Sequence, residues 1–193
     1  DNYLYLKNSV FSNTDCIKQL KIYPPSDGGM VRIIVIYEVE EVAYKAQNGH
    51  FLSIDLGLHN LMTCYDNTGK GFIVGRQYLS ICHRYDKEIA RVQSQWANIQ
   101  VAKGVRHPKP SKHLLHLYEK RRNRIKDYLH KVTRYITDYC VKNRIHTVVI
   151  GNIRGIREDN NLGSRINRQL HGLPFDRIYM QLEYKLKMQG IRL

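Results

Sequence analysis

Polar and apolar positions change their rhythm twice along this chain. Up to about residue 48 they alternate in short bursts, the period of strands whose two faces meet different surroundings. Asp1 to Val10 alternates loosely around Tyr3 and Tyr5. Pro24-Pro25-Ser26-Asp27-Gly28-Gly29 is a turn, because proline presets φ and glycine tolerates positive φ. Met30 to Glu40, rich in Val, Ile and Tyr, has the composition of a strand. These residues read as the last hairpins of a small β domain.

Asn48-Gly49 is a further turn, and Phe51 to Ile54 leads from it into Asp55-Leu56-Gly57. Leu61 to Tyr65 is a second short strand, Asp66-Asn67-Thr68-Gly69 a turn and Gly71 to Val74 a third strand. The three make a meander with an acid at its head. From Tyr78 to about Ala102 the period becomes helical, with Ile81, Ile89, Val92 and Trp96 near one face. Gly104 to Ser111, with Pro108 and Pro110, breaks it. A long helix follows to about Asn143, with Ser111 as its N-cap. Ile125, Leu129, Val132, Ile136 and Cys140 fall on one stripe of it. Two long helices joined by a short break predict an antiparallel hairpin. Thr147 to Ile150 is a β-branched strand, ended by Gly151-Asn152, and Asn160 to Gly172 is polar and loop-like. Leu173 opens a last helix with Pro174 in its first turn, its apolar positions are Ile178, Leu182 and Leu186, and it stops at Gly190. Ile191-Arg192-Leu193 begins another strand.

Composition changes this picture in one respect. A hydrophobic fraction of 42% and 25% charged residues are ordinary for a folded domain, but 31 Lys plus Arg against 17 Asp plus Glu leave +14 in 193 residues. Such a chain attracts polyanions, of which nucleic acid is the commonest. Cys16, Cys64, Cys82 and Cys140 are scattered, with no C-x-x-C pair for zinc, and read as reduced thiols of a cytoplasmic protein. The apolar run around Ile33 to Tyr37 is too short to span a bilayer, and no basic-then-apolar leader opens the chain. With no recognisable feature at Asp1 or Leu193, the chain reads as a piece of something longer.

Asp55 is the sharpest candidate for chemistry. A carboxylate at the end of a central strand is where nucleases of the ribonuclease-H-like architecture hold a divalent metal. Hard oxygen ligands hold two Mg²⁺ ions, one activating a water and the other steadying the leaving oxygen of a phosphodiester. One aspartate does not suffice, and the plain alternative is that Asp55 caps a turn.

Phe51 to Tyr65, FLSIDLGLHNLMTCY, resembles the first catalytic block of the TnpB (OrfB) insertion-sequence family, in which a strand ends in Asp-x-Gly and a hairpin follows. Residues 113 to 140, HLLHLYEKRRNRIKDYLHKVTRYITDYC, resemble the family's helix ahead of its second catalytic strand, with Leu129-His130-Lys131 matching its habitual Leu-His-Lys. TVVIGNIRGIR, residues 147 to 157, sits where that strand lies, and Asn167 to Ile191 resembles the helix after it. The resemblance covers roughly residues 30 to 193. It implies RNA-guided cleavage of DNA, with guide RNA and DNA as partners and no membrane. It implies an α/β, ribonuclease-H-like (RuvC-like) mixed sheet with a long helical hairpin, preceded by part of a small β-barrel domain. On this reading residues 1–48 close the β-barrel domain. Residues 49–193 form a RuvC-like domain, incomplete at its C-terminal end, with a helical insertion at about 78–143.

Departures from the family matter equally. Gly151 stands where the second acid, a Glu, is usual, and glycine offers a metal no side chain. Two explanations compete: the Glu has moved to the next strand, beyond Leu193, or it is lost and only guided binding is kept. The third acid and a four-cysteine zinc ribbon are expected outside the chain as well, so Mg²⁺ is expected only for the complete site. Glu158, Asp159 and Glu183 are poorer ligand candidates, the first two in a polar loop and the last on an amphipathic helix. The alternative function is therefore a nuclease-dead, RNA-guided DNA binder or a decayed transposase fragment. A reading as an actin-like ATPase, from Ile54-Asp55-Leu56-Gly57, lacks the second Asp-x-Gly and the glycine-rich adenosine site that class needs.

The basic helix carries the second functional expectation. Between Ser111 and Arg144 ten basic residues face three acids. Lys120, Arg121, Arg122, Arg124, Lys126, Lys131 and Arg134 are the candidate nucleic-acid ligands, since crowded cations repel unless an anion joins them. Tyr118, Tyr128, Tyr135 and Tyr139 lie among them, suited to stacking or to half-buried packing. His107, His113 and His116 lie close in sequence without cysteine or acid partners and read as surface or nucleic-acid-facing side chains.

Overall fold

The computed structural model describes residues 16–151, Gly163 and residues 172–193. The strand expected at Asp1 to Val10, the acids Glu158 and Asp159, and all of the expected polar loop but Gly163 and Gly172 lie outside the described residues.

The early turn closes a two-stranded antiparallel sheet of β1 (Ile17–Tyr23) and β2 (Arg32–Tyr37). Its register pairs Tyr23 with Arg32, whose guanidinium lies 5.3 Å from the tyrosine ring centre. Ser26 accepts the Met30 N–H and so fixes the turn between the two strands.

A second sheet holds β3 (Phe51–Leu56), β4 (Met62–Asp66), β5 (Gly71–Val74) and β6 (Thr147–Ile150) in the order β5-β4-β3-β6. Adjacent pairs are antiparallel except β3 and β6, which run parallel. A parallel neighbour requires a long crossover. Here α1 (Tyr78–Ala102) and α2 (Lys112–Lys142) supply it, as the antiparallel hairpin expected from the period change. Beyond β6, α3 (Phe175–Lys187) leads to Arg192, which bridges Thr147 in parallel.

Strand side chains point to alternate faces, and the sequence places its apolar residues accordingly. Leu52, Ile54, Leu56, Met62 and Cys64 are buried on one face. Against them pack Ile125, Leu129, Val132, Ile136 and Cys140 of α2 and Ile178, Leu182 and Leu186 of α3. Fully burying one such aliphatic side chain stabilises the fold by roughly 1.5–3 kcal/mol. Ile89 and Val92 of α1 meet Leu114 of α2 in a separate cluster, so the far part of the helical hairpin carries its own small core.

Local chemistry sets the element ends. Ser111 caps α2 by accepting the Leu114 N–H at 3.1 Å, as the sequence predicts. Pro174 is the N-cap of α3 rather than a residue of its first turn, a one-residue difference at a helix end. Gly75, with φ +87°, turns β5 into α1, and a Cβ there would meet Leu61 Cβ at 2.6 Å, so glycine alone fits. Among the described residues no helix is long and apolar enough to cross a membrane.

Candidate nucleic-acid site

Because β3 alternates, burying Leu52, Ile54 and Leu56 turns Asp55 to the opposite, open face of the sheet, where it is exposed. Thr63 of β4 lies across from it. On the other side the parallel register pairs Ile54 with Ile150, and the Gly151 N–H donates to the Ile54 carbonyl at 3.2 Å. The next position in register, Gly151, therefore stands beside Asp55. A Cβ built at Gly151 meets nothing within 4 Å.

The described residues do not by themselves make a magnesium site. Such an ion takes about six oxygen ligands, commonly one or two carboxylates with water and substrate phosphate. No group of three or more His, Cys, Asp or Glu that could hold a metal occurs among the described residues. Glu183 is exposed on α3, whose packing face joins the core on the other side of the sheet from Asp55.

Asp66, the other acid of the meander, is buried and structural. It accepts hydrogen bonds from the Thr68 hydroxyl at 2.6 Å and from the Thr68 and Lys70 N–H groups at 3.0 and 3.2 Å. The Tyr139 hydroxyl of α2 also donates to it. These donors hold its carboxyl well below the usual carboxylate range, the Thr68 hydroxyl most of all. Burial, helped by Asp66, pushes the Tyr139 hydroxyl up to about 12. Burial likewise pushes the Cys64 and Cys140 thiols up to about 12, so neither is a reactive thiolate.

Helix α2 divides its surface between core and charge. Lys120, Arg124, Lys131 and Lys142 recur at intervals of 4, 7 and 11 residues along its outer side, all exposed. At 1.5 Å per residue that ridge is about 33 Å long. Most of the arginines expected to grip phosphate already have partners. Arg121 meets Asp86 of α1 at 2.9 Å and Arg134 meets Asp138 at 2.8 Å. Arg124 and Lys131 share Asp127 at 3.3 and 2.9 Å, and Arg122 lies 3.7 Å from Glu119. Lys120 and Lys126 form no ion pair among the described residues.

Tyrosines on this helix split in two. Tyr128 accepts the Gln77 N–H and Tyr139 packs at 4.4 Å from Phe72, which makes both structural. Tyr118 and Tyr135 remain exposed, Tyr135 in a T-shaped contact with Phe72. His116 pairs with the Gly28 carbonyl at 3.2 Å and holds the first turn against α2.

One basic residue escapes a reading by charge clusters. Lys185 of α3 donates to the His130 carbonyl at 2.8 Å and to the Thr133 hydroxyl at 2.7 Å. Burial first, then Arg134, lowers its pKa. Its only sequence signal is a lysine beside the apolar stripe of α3.

Comparison with known proteins gives the family and the fold. The model of a family described as a probable transposase, OrfB of the IS605 type, matches residues 34–157. Among solved structures, a chain of a Cas12f1–sgRNA–target DNA complex superposes with TM-score 0.51 at 20% identity, over 84% of this chain and 37% of that one. A chain of a CRISPR–Cas12f ternary complex gives TM-score 0.50 at 19% identity, over 85% of this chain and 31% of that one. At these identities the likeness shows the fold, and the fold is of the RuvC-like, ribonuclease-H-like class. The chain spans about a third of the length of either. No curated protein matches it significantly in sequence.

Proposed function

The chain belongs to the OrfB-type family of probable transposases, and from that premise we propose that it is the central part of a transposon-encoded, RNA-guided DNA endonuclease. The observation that carries this reading is the place of Asp55. It is an exposed carboxylate on the central strand of a RuvC-like sheet, on a face open to a substrate. Asp55 serves as one metal ligand, and magnesium binding needs further carboxylates from outside the described residues. The basic side chains of α2, Lys120, Arg121, Arg122, Arg124, Lys126, Lys131 and Arg134, carry phosphates of guide RNA and DNA. That contact is salt-dependent and largely blind to sequence.

A second reading, a nuclease-dead guided binder, is favoured by Gly151, which leaves the position beside Asp55 without a carboxylate. One experiment separates the two. The full-length protein is purified with its co-expressed RNA and assayed for Mg²⁺-dependent cleavage and for binding of matching DNA. For an endonuclease, Asp55→Ala abolishes cleavage and leaves binding in place. Binding without cleavage in the unaltered protein establishes the second reading. Cleavage that survives Asp55→Ala overturns the role of Asp55.

A further inference from the structure

Between the first turn and the N-terminal half of α2 lies a groove of about 480 Å³, lined by Ser26, Asp27, Gly28, Tyr118, Glu119, Arg121 and Arg122 among others. That volume falls within the roughly 300–1,000 Å³ of small-ligand clefts. Glu119 decides its chemistry. The residue is 8% exposed, and its Oε2 has no hydrogen-bond partner among the described residues. Its Oε1 has only Arg122, at 3.7 Å, among the described residues. A buried carboxylate oxygen without a donor is destabilising, and this one is retained in a wall of the groove. Gly28 packs against it so closely that a Cβ there would lie 2.1 Å from Oε2. The Ser26–Gly29 turn therefore covers that oxygen, which a ligand meets only with the turn displaced.

We infer that this groove takes the guanine of a single-stranded nucleic-acid segment, an inference that rests on the nucleic-acid-binding reading above. A carboxylate with both oxygens short of donors calls for a ligand edge with two neighbouring N–H groups. Guanine, with N1–H and the 2-amino group side by side, is the standard base that presents them. Adenine and cytosine set an acceptor beside their amino group, and uracil flanks one N–H with two acceptors. Tyr118, 39% exposed at the groove wall, offers a face for the base to stack on. Arg122 is largely exposed and only weakly held by Glu119, so it turns to the phosphate when the base occupies the carboxylate.

The test uses the whole chain and 12-mer uridine RNAs carrying one central guanosine, inosine, adenosine or no replacement, with affinities from fluorescence anisotropy. Inosine keeps N1–H and lacks the 2-amino group, so the ligand is altered without touching the fold. A hydrogen bond to a charged acceptor corresponds to about tenfold in affinity. The guanosine strand should bind about tenfold tighter than the inosine strand and tighter still than the uridine strand. Glu119→Gln should remove the preference for guanosine over inosine while the salt dependence persists, and Tyr118→Ala should weaken the guanosine strand most. Equal affinities of the unaltered protein for guanosine and inosine strands, with salt-dependent binding intact, overturn the guanine site and leave the wider reading standing. Failure to bind any strand overturns the wider reading itself. Saturable binding of GMP without preference among the strands overturns the strand as the source of the guanine.

Discussion

Gly151→Glu tests the geometry around Asp55 more directly than removing Asp55 does. Gly151 follows Ile150 in the register that pairs Ile54 with Ile150, so the new side chain enters on the same face as Asp55, one strand away. Adjacent strands are about 4.8 Å apart. Two exposed carboxylates at about 5 Å repel by about 1 kcal/mol in water-like surroundings and about 3 kcal/mol at an effective dielectric constant of about 20. Replacing a glycine whose site has room returns about 0.4–1 kcal/mol by restricting the unfolded chain, and nothing lies within 4 Å of the new Cβ. Without metal the variant should therefore sit within about 3 kcal/mol of the parent. With Mg²⁺ the repulsion becomes a binding site. At ten times its Kd the ion adds about 1.4 kcal/mol, or about 3–5 °C in Tm for a chain of this size. The assay is thermal unfolding with and without Mg²⁺ for the parent, Gly151→Glu, and Gly151→Glu with Asp55→Ala. An Mg²⁺ response is expected in the single variant only. A response that survives Asp55→Ala, or none at all, refutes the placement of the two positions side by side.

Three further outcomes follow from the packing and the charges. Replacing Lys120, Lys126 and Lys142, which form no ion pair among the described residues, by alanine should flatten the salt slope of single-strand binding by about 2 units, at about 0.7 per phosphate contact. Replacing Arg121, Arg122 and Arg124 should flatten it less, since Asp86, Glu119 and Asp127 already neutralise them; equal slopes for the two triple variants would show those ion pairs open on binding. Ile136→Ala, at a fully buried position, should lower unfolding stability by about 2–5 kcal/mol in a urea titration, and a loss under about 1 kcal/mol would remove Ile136 from the core. Asp66 has a folded pKa held below its unfolded value of about 3.9. Its contribution is thus complete above that value and lost as pH falls through about 4 and below. Asp66→Asn should lower stability at pH 7 and flatten its decline below pH 4, and an unchanged acid limb would count against the Asp66–Tyr139 tie.

Most of the fold was legible because it obeys local periods. The stripe from Ile125 to Cys140 is a helix period over four turns, and it marks the core face of α2 before any tertiary contact is known. The meander was legible from its turn residues. Asp55 was legible as a strand-end acid, but its facing outwards depends on which side of the sheet α2 and α3 cover, a tertiary fact. Charge pairing was hidden for the same reason. Arg121 and Asp86 are 35 residues apart, and only the helical hairpin brings them together. Glu119 reads in sequence as one acid in a basic helix, whereas the approach of Gly28 buries it.

The two proposed activities draw on one helix, and its charge arrangement explains how they coexist. A ridge of free cations would bind any polyanion strongly and hold it in any register. On α2 the cations at the groove end, Arg121 and Arg122, are tied to acids, while Lys120 and Lys126 form no ion pair among the described residues. Unpaired lysines supply sequence-blind attraction. Paired arginines add affinity only where a ligand replaces their acids with better partners, which makes them selective. Self-neutralisation at the Glu119 end thus separates grip from choice along a single element: the salt slope belongs to the lysines and the base preference to the groove. Double variants joining Lys126→Ala with Glu119→Gln should accordingly show additive losses in binding free energy, as expected of sites that share no partner. Coupling above about 0.5 kcal/mol would mean that one site performs both roles.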